Sequence, residues 1–266
     1  MSSVDHLFSN LRSTGKKALM PFFTAGDPDP ETTTALVRVA SEAGANLCEI
    51  GVPYSDPIAD GPVIQASYQR ALDAGFKLQN VFDMGGVLSN EIHMPLVTMV
   101  SYSIIYRVGL QAYVQKAKAA GYSGAIVPDL LVEESSELSA ICRGEDFSLI
   151  QLVTPTTPKE RQVQIAESSS GFLYYVSVTG ITGERKSLPE NLNESVSWLR
   201  GQTDLPICIG FGISGVETAK QLAPVADGLI VGSAIIRRVS EAANREDAKA
   251  SVAQFIRELR AAMDPS

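Results

Sequence analysis

Leu47-Cys48-Glu49-Ile50-Gly51-Val52-Pro53-Tyr54-Ser55-Asp56-Pro57-Ile58-Ala59-Asp60-Gly61-Pro62 begins as a short apolar strand and breaks into a loop rich in Gly, Pro and Asp. Leu47 to Gly51 reads as a buried strand with the carboxylate of Glu49 in its middle. An unpaired charge is costly to bury, so this position needs a compensating use. A second carboxylate, Asp60, lies near the end of the loop. A strand with one acid that feeds a loop with another suggests paired acid/base chemistry at the mouth of a barrel.

Working outward, the unit around this strand recurs: an amphipathic helix, a Gly, then a short apolar strand. Asp29 is placed to cap the helix before it, with Pro30 at its first position and Glu31 at the positive end of its dipole. Leu36, Val39, Ala40 and Ala43 fall on one face, and Gly44 ends the helix. Leu110, Tyr113, Val114 and Ala117 make a second such face, closed by Gly121, and Val252, Phe255, Ile256 and Leu259 make the last. Eight strands read the same way: Ala18 to Thr24, Leu47 to Gly51, Leu96 to Ser101, Gly124 to Val127, Ser148 to Val153, Phe172 to Ser177, Ile207 to Gly210 and Gly228 to Val231. Most are continuous apolar runs, as expected of parallel strands covered on both faces. Over 266 residues this predicts an α/β chain with one (β/α)8 TIM barrel domain, residues 1–266, carrying extra helices. A doubly wound open sheet is the competing architecture.

The net charge of −8 disfavours a nucleic-acid binder. Cys48, Cys142 and Cys208 lack CxxC spacing, and Cys48 and Cys208 sit in apolar runs, so they read as core residues of a reducing compartment. The two histidines, His6 and His93, lie near no cysteine, so no metal site is expected. Met1 to His6 has neither a basic nor an apolar leader pattern, and no run approaches a membrane span. A cytoplasmic protein is expected.

In a barrel, function is read just after each strand. Ile209-Gly210-Phe211-Gly212-Ile213-Ser214 and Val231-Gly232-Ser233-Ala234-Ile235 are glycine-bearing turns after strands seven and eight. Glycine lets backbone N–H groups approach an anion, and a following helix adds its dipole. Either turn alone is more simply a tight connection; the pair in successive late units favours a phosphate. Ser177 to Lys186 is long and polar enough to be a lid, or else an ordinary solvated loop. Glu49 shares strand parity with Leu47 and Gly51, and the barrel interior suits it better than the helix-facing side. An apolar pocket there raises its pKa towards neutrality. Asp60 taken alone reads more commonly as a turn or N-cap residue before Pro62. Phe22 and Tyr174 are candidate pocket walls, although aromatics in strands are more often plain core. An apolar mouth with a phosphate at one side suits a flat ring with a phosphate tail.

Together these segments resemble the tryptophan synthase α subunit family. The resemblance runs from Pro21-Phe22-Phe23-Thr24-Ala25-Gly26-Asp27-Pro28, through the carboxylate loop, Val127-Pro128-Asp129-Leu130 and Thr154-Pro155-Thr156-Thr157-Pro158, to Val231-Gly232-Ser233-Ala234-Ile235. It implies retro-aldol cleavage of indole-3-glycerol phosphate to indole and glyceraldehyde 3-phosphate. It assigns Glu49 as the acid/base at indole C3 and the glycerol hydroxyl, and Asp60 as acceptor of the indole N–H. It places Phe22 and Tyr174 at the indole, Gly183, Gly212, Gly232 and Ser233 at the phosphate, and Thr182 on the lid against Asp60. It further implies an α2β2 assembly with a β subunit that carries pyridoxal phosphate, touched by the loop of Pro53 and Asp56. One departure stands out: where the family usually shows Tyr-x-Asn after strand three, this chain has Ser101-Tyr102-Ser103. The rival readings are another phosphate-handling barrel, an inert allosteric partner of β, and a free-standing indole-releasing lyase. The first of these, as an indole-glycerol-phosphate synthase, needs an early-strand Lys that strands one to three lack.

Overall fold

The computed structural model describes residues 1–58, 60–176, 192–210 and 212–264. Its strands are β1 (Ala18–Thr24), β2 (Cys48–Gly51), β3 (Leu96–Met99), β4 (Tyr122–Ile126), β5 (Ser148–Ile150), β6 (Leu152–Val153), β7 (Leu173–Val176), β8 (Ile207–Gly210) and β9 (Gly228–Val231). All pairings among them are parallel, in the order β5-β4-β3-β2-β1-β9-β8-β7-β6. The two ends of that order, β5 and β6, are consecutive in the chain. The single fifth strand expected from the sequence is therefore divided at Gln151. Its first half pairs with β4 and its second half with β7, which brings the sheet round into a barrel.

Side chains alternate across this wall, with one break in β4, where the pairing with β3 shifts register and Tyr122 and Ala125 both pack outward. Ala18, Met20, Phe22, Leu47, Val97, Met99, Ile126, Ile150, Tyr174, Val176, Cys208 and Ile230 pack together inside. Leu19, Phe23, Cys48, Ile50, Leu96, Leu149, Leu173, Tyr175, Ile207 and Leu229 pack outward against the helices. All three cysteines are buried free thiols. No helix among the described residues is long and apolar enough to cross a membrane.

The helix Pro30–Glu42 starts as its sequence predicts, with the Asp29 carboxylate accepting from Thr32 N–H at 2.7 Å. Gly44 follows at φ +103°, a conformation that favours glycine. Its most buried face runs through Leu36, Val37 and Ala40, with Val39 at the margin. In the helices Leu110–Ala119 and Arg245–Met263, Tyr113, Val114 and Ala117, and Val252, Phe255, Ile256 and Leu259, are buried as expected.

The N-terminal helix is among the elements outside the sequence reading. Ser3–Ser13 is a helix capped by Ser2 and Asp5 in a reciprocal capping box. Its Val4, Phe8 and Leu11 are buried in the interior cluster, and Phe8 meets Phe172 at 5.6 Å between ring centroids. Phe172 precedes β7, so this helix closes the end of the barrel where the strands begin.

Candidate active site

Five neighbouring strands, β2, β1, β9, β8 and β7, bring the predicted residues to the opposite end. Glu49 lies on β2 in register with Phe22 of β1 and Val97 of β3. It is 1% exposed, and neither carboxylate oxygen has a hydrogen-bond partner among the described residues. Burial, and secondarily the charge of Asp60, raises its pKa to about 8. The parity argument thus places Glu49 correctly, and a proton resolves its cost: at neutral pH the buried group is a carboxylic acid.

Asp60 is also buried, and burial raises its pKa to about 6. It is not the N-cap of the following helix Pro62–Asp73. That position belongs to Gly61, with Pro62 at the first helical position. The Asp60 backbone does make a turn, its N–H donating to Pro57 O at 3.0 Å. Among the described residues no hydrogen bond to its side chain is seen, which leaves the carboxylate open to another use. The charges of Glu49 and Asp60 both bear on Tyr174, whose phenol is held strongly towards its neutral form, mainly by burial.

Two strand-end glycines make slots for the pocket rings. A Cβ on Gly51 would stand 2.4 Å from Phe22 Cζ and 2.8 Å from the Tyr68 hydroxyl. A Cβ on Gly210 would stand 2.3 Å from the Tyr174 hydroxyl. Gly51→Ala is therefore expected to displace Phe22 or Tyr68 and to cost about 1–3 kcal/mol by overpacking. Urea unfolding checks this; an unchanged midpoint would show that the ring moves freely.

Gly212 stands at φ +79° after β8, and Gly232 opens the helix Ser233–Glu241 after β9. The paired strands set these turns side by side, with the helix N-terminus able to favour an anion. A Cβ on Gly232 would rest 3.6 Å from Phe22 Cβ, so this turn borders the aromatic wall. Thr182 and Gly183 lie outside the described residues.

A family model described as tryptophan synthase alpha chain matches residues 8–264. The chain belongs to the tryptophan synthase alpha chain family. The alpha chain of Rhodopirellula baltica is 66% identical over 260 residues, covering 97% of this chain and 93% of the relative. The alpha subunit structure from Legionella pneumophila superposes with a TM-score of 0.91 at 34% identity, covering 100% of both chains. The tryptophan synthase complex of Pyrococcus furiosus gives 0.85 at 34% identity, over 92% of this chain and 98% of its own. The solved alpha chains share the TIM barrel described above.

Within the family pattern, the departure after β3 has a structural account. Ser101 is the N-cap of the helix Tyr102–Val108, accepting from Ser103 N–H. Its hydroxyl donates to Asp129 Oδ2 at 2.7 Å and meets the Ser103 hydroxyl at 2.7 Å, while Tyr102 N–H donates to Asp129 Oδ1. The two serines and the aspartate of the next loop thus fix the start of this helix. Tyr54 and Tyr68 also belong to the site wall, 5.8 Å apart between centroids. Sequence reasoning passed over both; the i, i+4 spacing of Ile64 and Tyr68 after Pro62 was the available signal.

Proposed function

We propose that Glu49 and Asp60 carry the alpha reaction of this family, cleavage of indole-3-glycerol phosphate to indole and glyceraldehyde 3-phosphate. The observation that carries the assignment is Glu49, buried at the barrel mouth with both oxygens unpartnered among the described residues and its pKa raised to about 8. The neutral acid gives its proton to indole C3. Positive charge spreads to the ring nitrogen, and ionised Asp60 accepts the N–H and stabilises it. The Glu49 carboxylate then takes the proton of the glycerol hydroxyl beside the C–C bond. That bond breaks, its electrons restore the aromatic ring, an aldehyde forms, and Glu49 ends protonated. Phe22 and Tyr174 hold the indole; Gly183, Gly212, Gly232 and Ser233 hold the phosphate, and Thr182, in the segment after β7, touches Asp60 and aligns it.

The catalytic form has Asp60 ionised and Glu49 protonated. The pair should titrate with apparent values of about 6 and about 8. Indole release, read as kcat/KM, is expected to rise with pH through about 6 and fall above about 8. A profile flat from pH 5 to 9 would exclude these roles.

The same reading gives the chain a β subunit partner in an α2β2 assembly, with pyridoxal phosphate assigned to that partner. Asp56 is exposed and available to such a contact, whereas Pro53 is buried and would act by shaping the loop. Ile58 is 88% exposed, beside a cavity of about 510 Å³ bounded by Tyr54, Ser55, Asp56, Pro57 and Gln65. An exposed apolar side chain at the rim of such a cleft supports a docking surface. One barrel domain over residues 1–266, in the cytoplasm, is the matching organisation; three buried free thiols suit a reducing compartment. Stimulation of indole release by added β subunit tests the partnership.

A further inference from the structure

The Asp60 loop has little regular structure to hold it, yet Asp60 is as enclosed as the core around it. What fixes the loop is a side chain from the helix that follows. Gln65 Nε2 donates to Asp60 O at 2.7 Å and to Pro57 O at 3.2 Å. Pro57 O also accepts the Asp60 N–H, so the Gln65 amide donates two hydrogen bonds to a turn that one backbone bond from Asp60 to Pro57 already closes. Gln65 N–H donates to Gly61 O in the first turn of the helix, which sets the side chain facing back over the loop.

The helix is itself pinned to the end of β1. The Ser67 hydroxyl meets the Thr24 hydroxyl at 2.6 Å, with both residues buried. Arg70 holds the carboxylate of buried Asp27 with two bonds, at 2.8 and 2.7 Å. β1 carries Phe22 and is paired with β2, which carries Glu49. The position of Gln65 is thus referred to the same wall that positions the acid.

We propose that Gln65 is a positioning residue for the alpha reaction, stapling Pro57 to Asp60 so that the Asp60 carboxylate is held enclosed and aimed at the ring nitrogen. The proposal rests on the role given to Asp60 above. Gln65 touches no reacting atom; it acts through two backbone carbonyls. Among the described residues, the titratable groups within electrostatic reach of Asp60 are Glu49 on β2, Tyr54 in the loop, Tyr68 on the helix and Tyr174 on β7. Burial is what raises Asp60, so a loosened turn lets water reach the carboxylate and returns it towards its ordinary value of 3.8.

The test is Gln65→Met, which keeps the length and packing of the side chain and removes the donor. Indole release is measured against pH beside thermal unfolding and amide exchange at Ile58 and Asp60, all on the full chain. The expected result is a kcat lower by roughly ten- to a hundredfold, KM within a factor of about two, the acid limb moved below about 6 and faster exchange at Asp60 N–H. A melting shift with kcat, acid limb and exchange unchanged would overturn the proposal, as would a raised KM at constant kcat. If wild type releases no indole, the function assigned to Asp60 has failed. The exchange comparison still decides whether Gln65 holds the turn.

Discussion

Glu49→Gln is expected to lose indole release by about a hundred- to ten-thousandfold, the range of a positioned acid/base, while keeping affinity for the substrate. The amide matches the neutral acid in shape and has no proton to give. Binding is expected to survive because the glycine turns after β8 and β9 and the rings of Phe22 and Tyr174 are untouched. Single-turnover indole release with a separate equilibrium binding measurement checks both halves. A variant that turns over within about tenfold of wild type would remove Glu49 from the chemistry. Lost binding with the remaining turnover intact would make Glu49 a substrate ligand.

The second large effect concerns stability, and needs no substrate. Glu49 carries a pKa of about 8 in the fold against an ordinary 4.5. Below the lower value both folded and unfolded chains hold the proton, and the group contributes nothing. Between the two values the unfolded chain has released it and the folded chain has not, so stability falls as pH rises, by about 1.4 kcal/mol per unit at most. Above the upper value the loss levels off. Glutamine does not ionise and lacks this slope. Glu49→Gln is therefore expected to match wild type near pH 4 and to exceed it near pH 8 by a few kcal/mol, on the order set by that linkage. Urea unfolding at the two pH values measures it. Equal slopes in the two proteins would mean that Glu49 is hydrated or paired in solution. The residue most damaging to remove for catalysis is then one whose removal strengthens the fold, as expected where a site keeps a group in a costly environment.

Much of this arrangement is legible in the sequence, because strand parity and glycine turns are local signals. Glu49 could be placed inside the barrel from Leu47 and Gly51 alone, and the two late turns fell at neighbouring strand ends as their order implied. Three features were not read. The fifth strand looks like one run because a change of hydrogen-bonding partner at Gln151 leaves no mark on hydrophobicity. The ring slots at Gly51 and Gly210 depend on side chains distant in the chain, so Gly51 read only as the end of a strand and Gly210 only as a strand end opening a glycine turn. The Gln65 bonds run from an exposed amide to carbonyls in an irregular loop, where no periodicity exists to reveal them. The helix Ser3–Ser13 differs: its Ser2 cap, Asp5, and apolar Val4, Leu7, Phe8 and Leu11 were a legible signal.

That helix has a consequence for traffic. Indole is small and apolar enough to partition into a protein interior. Here the floor beneath it is shut by Val4, Phe8 and Leu11, and Phe172, Met20, Ile150 and Cys208 fill the interior above them. Among the described residues that end is filled, which leaves the mouth as the side towards which indole is released, past the loop that its own substrate used to arrive. Where the indole goes is thus decided by what meets the rim of that mouth.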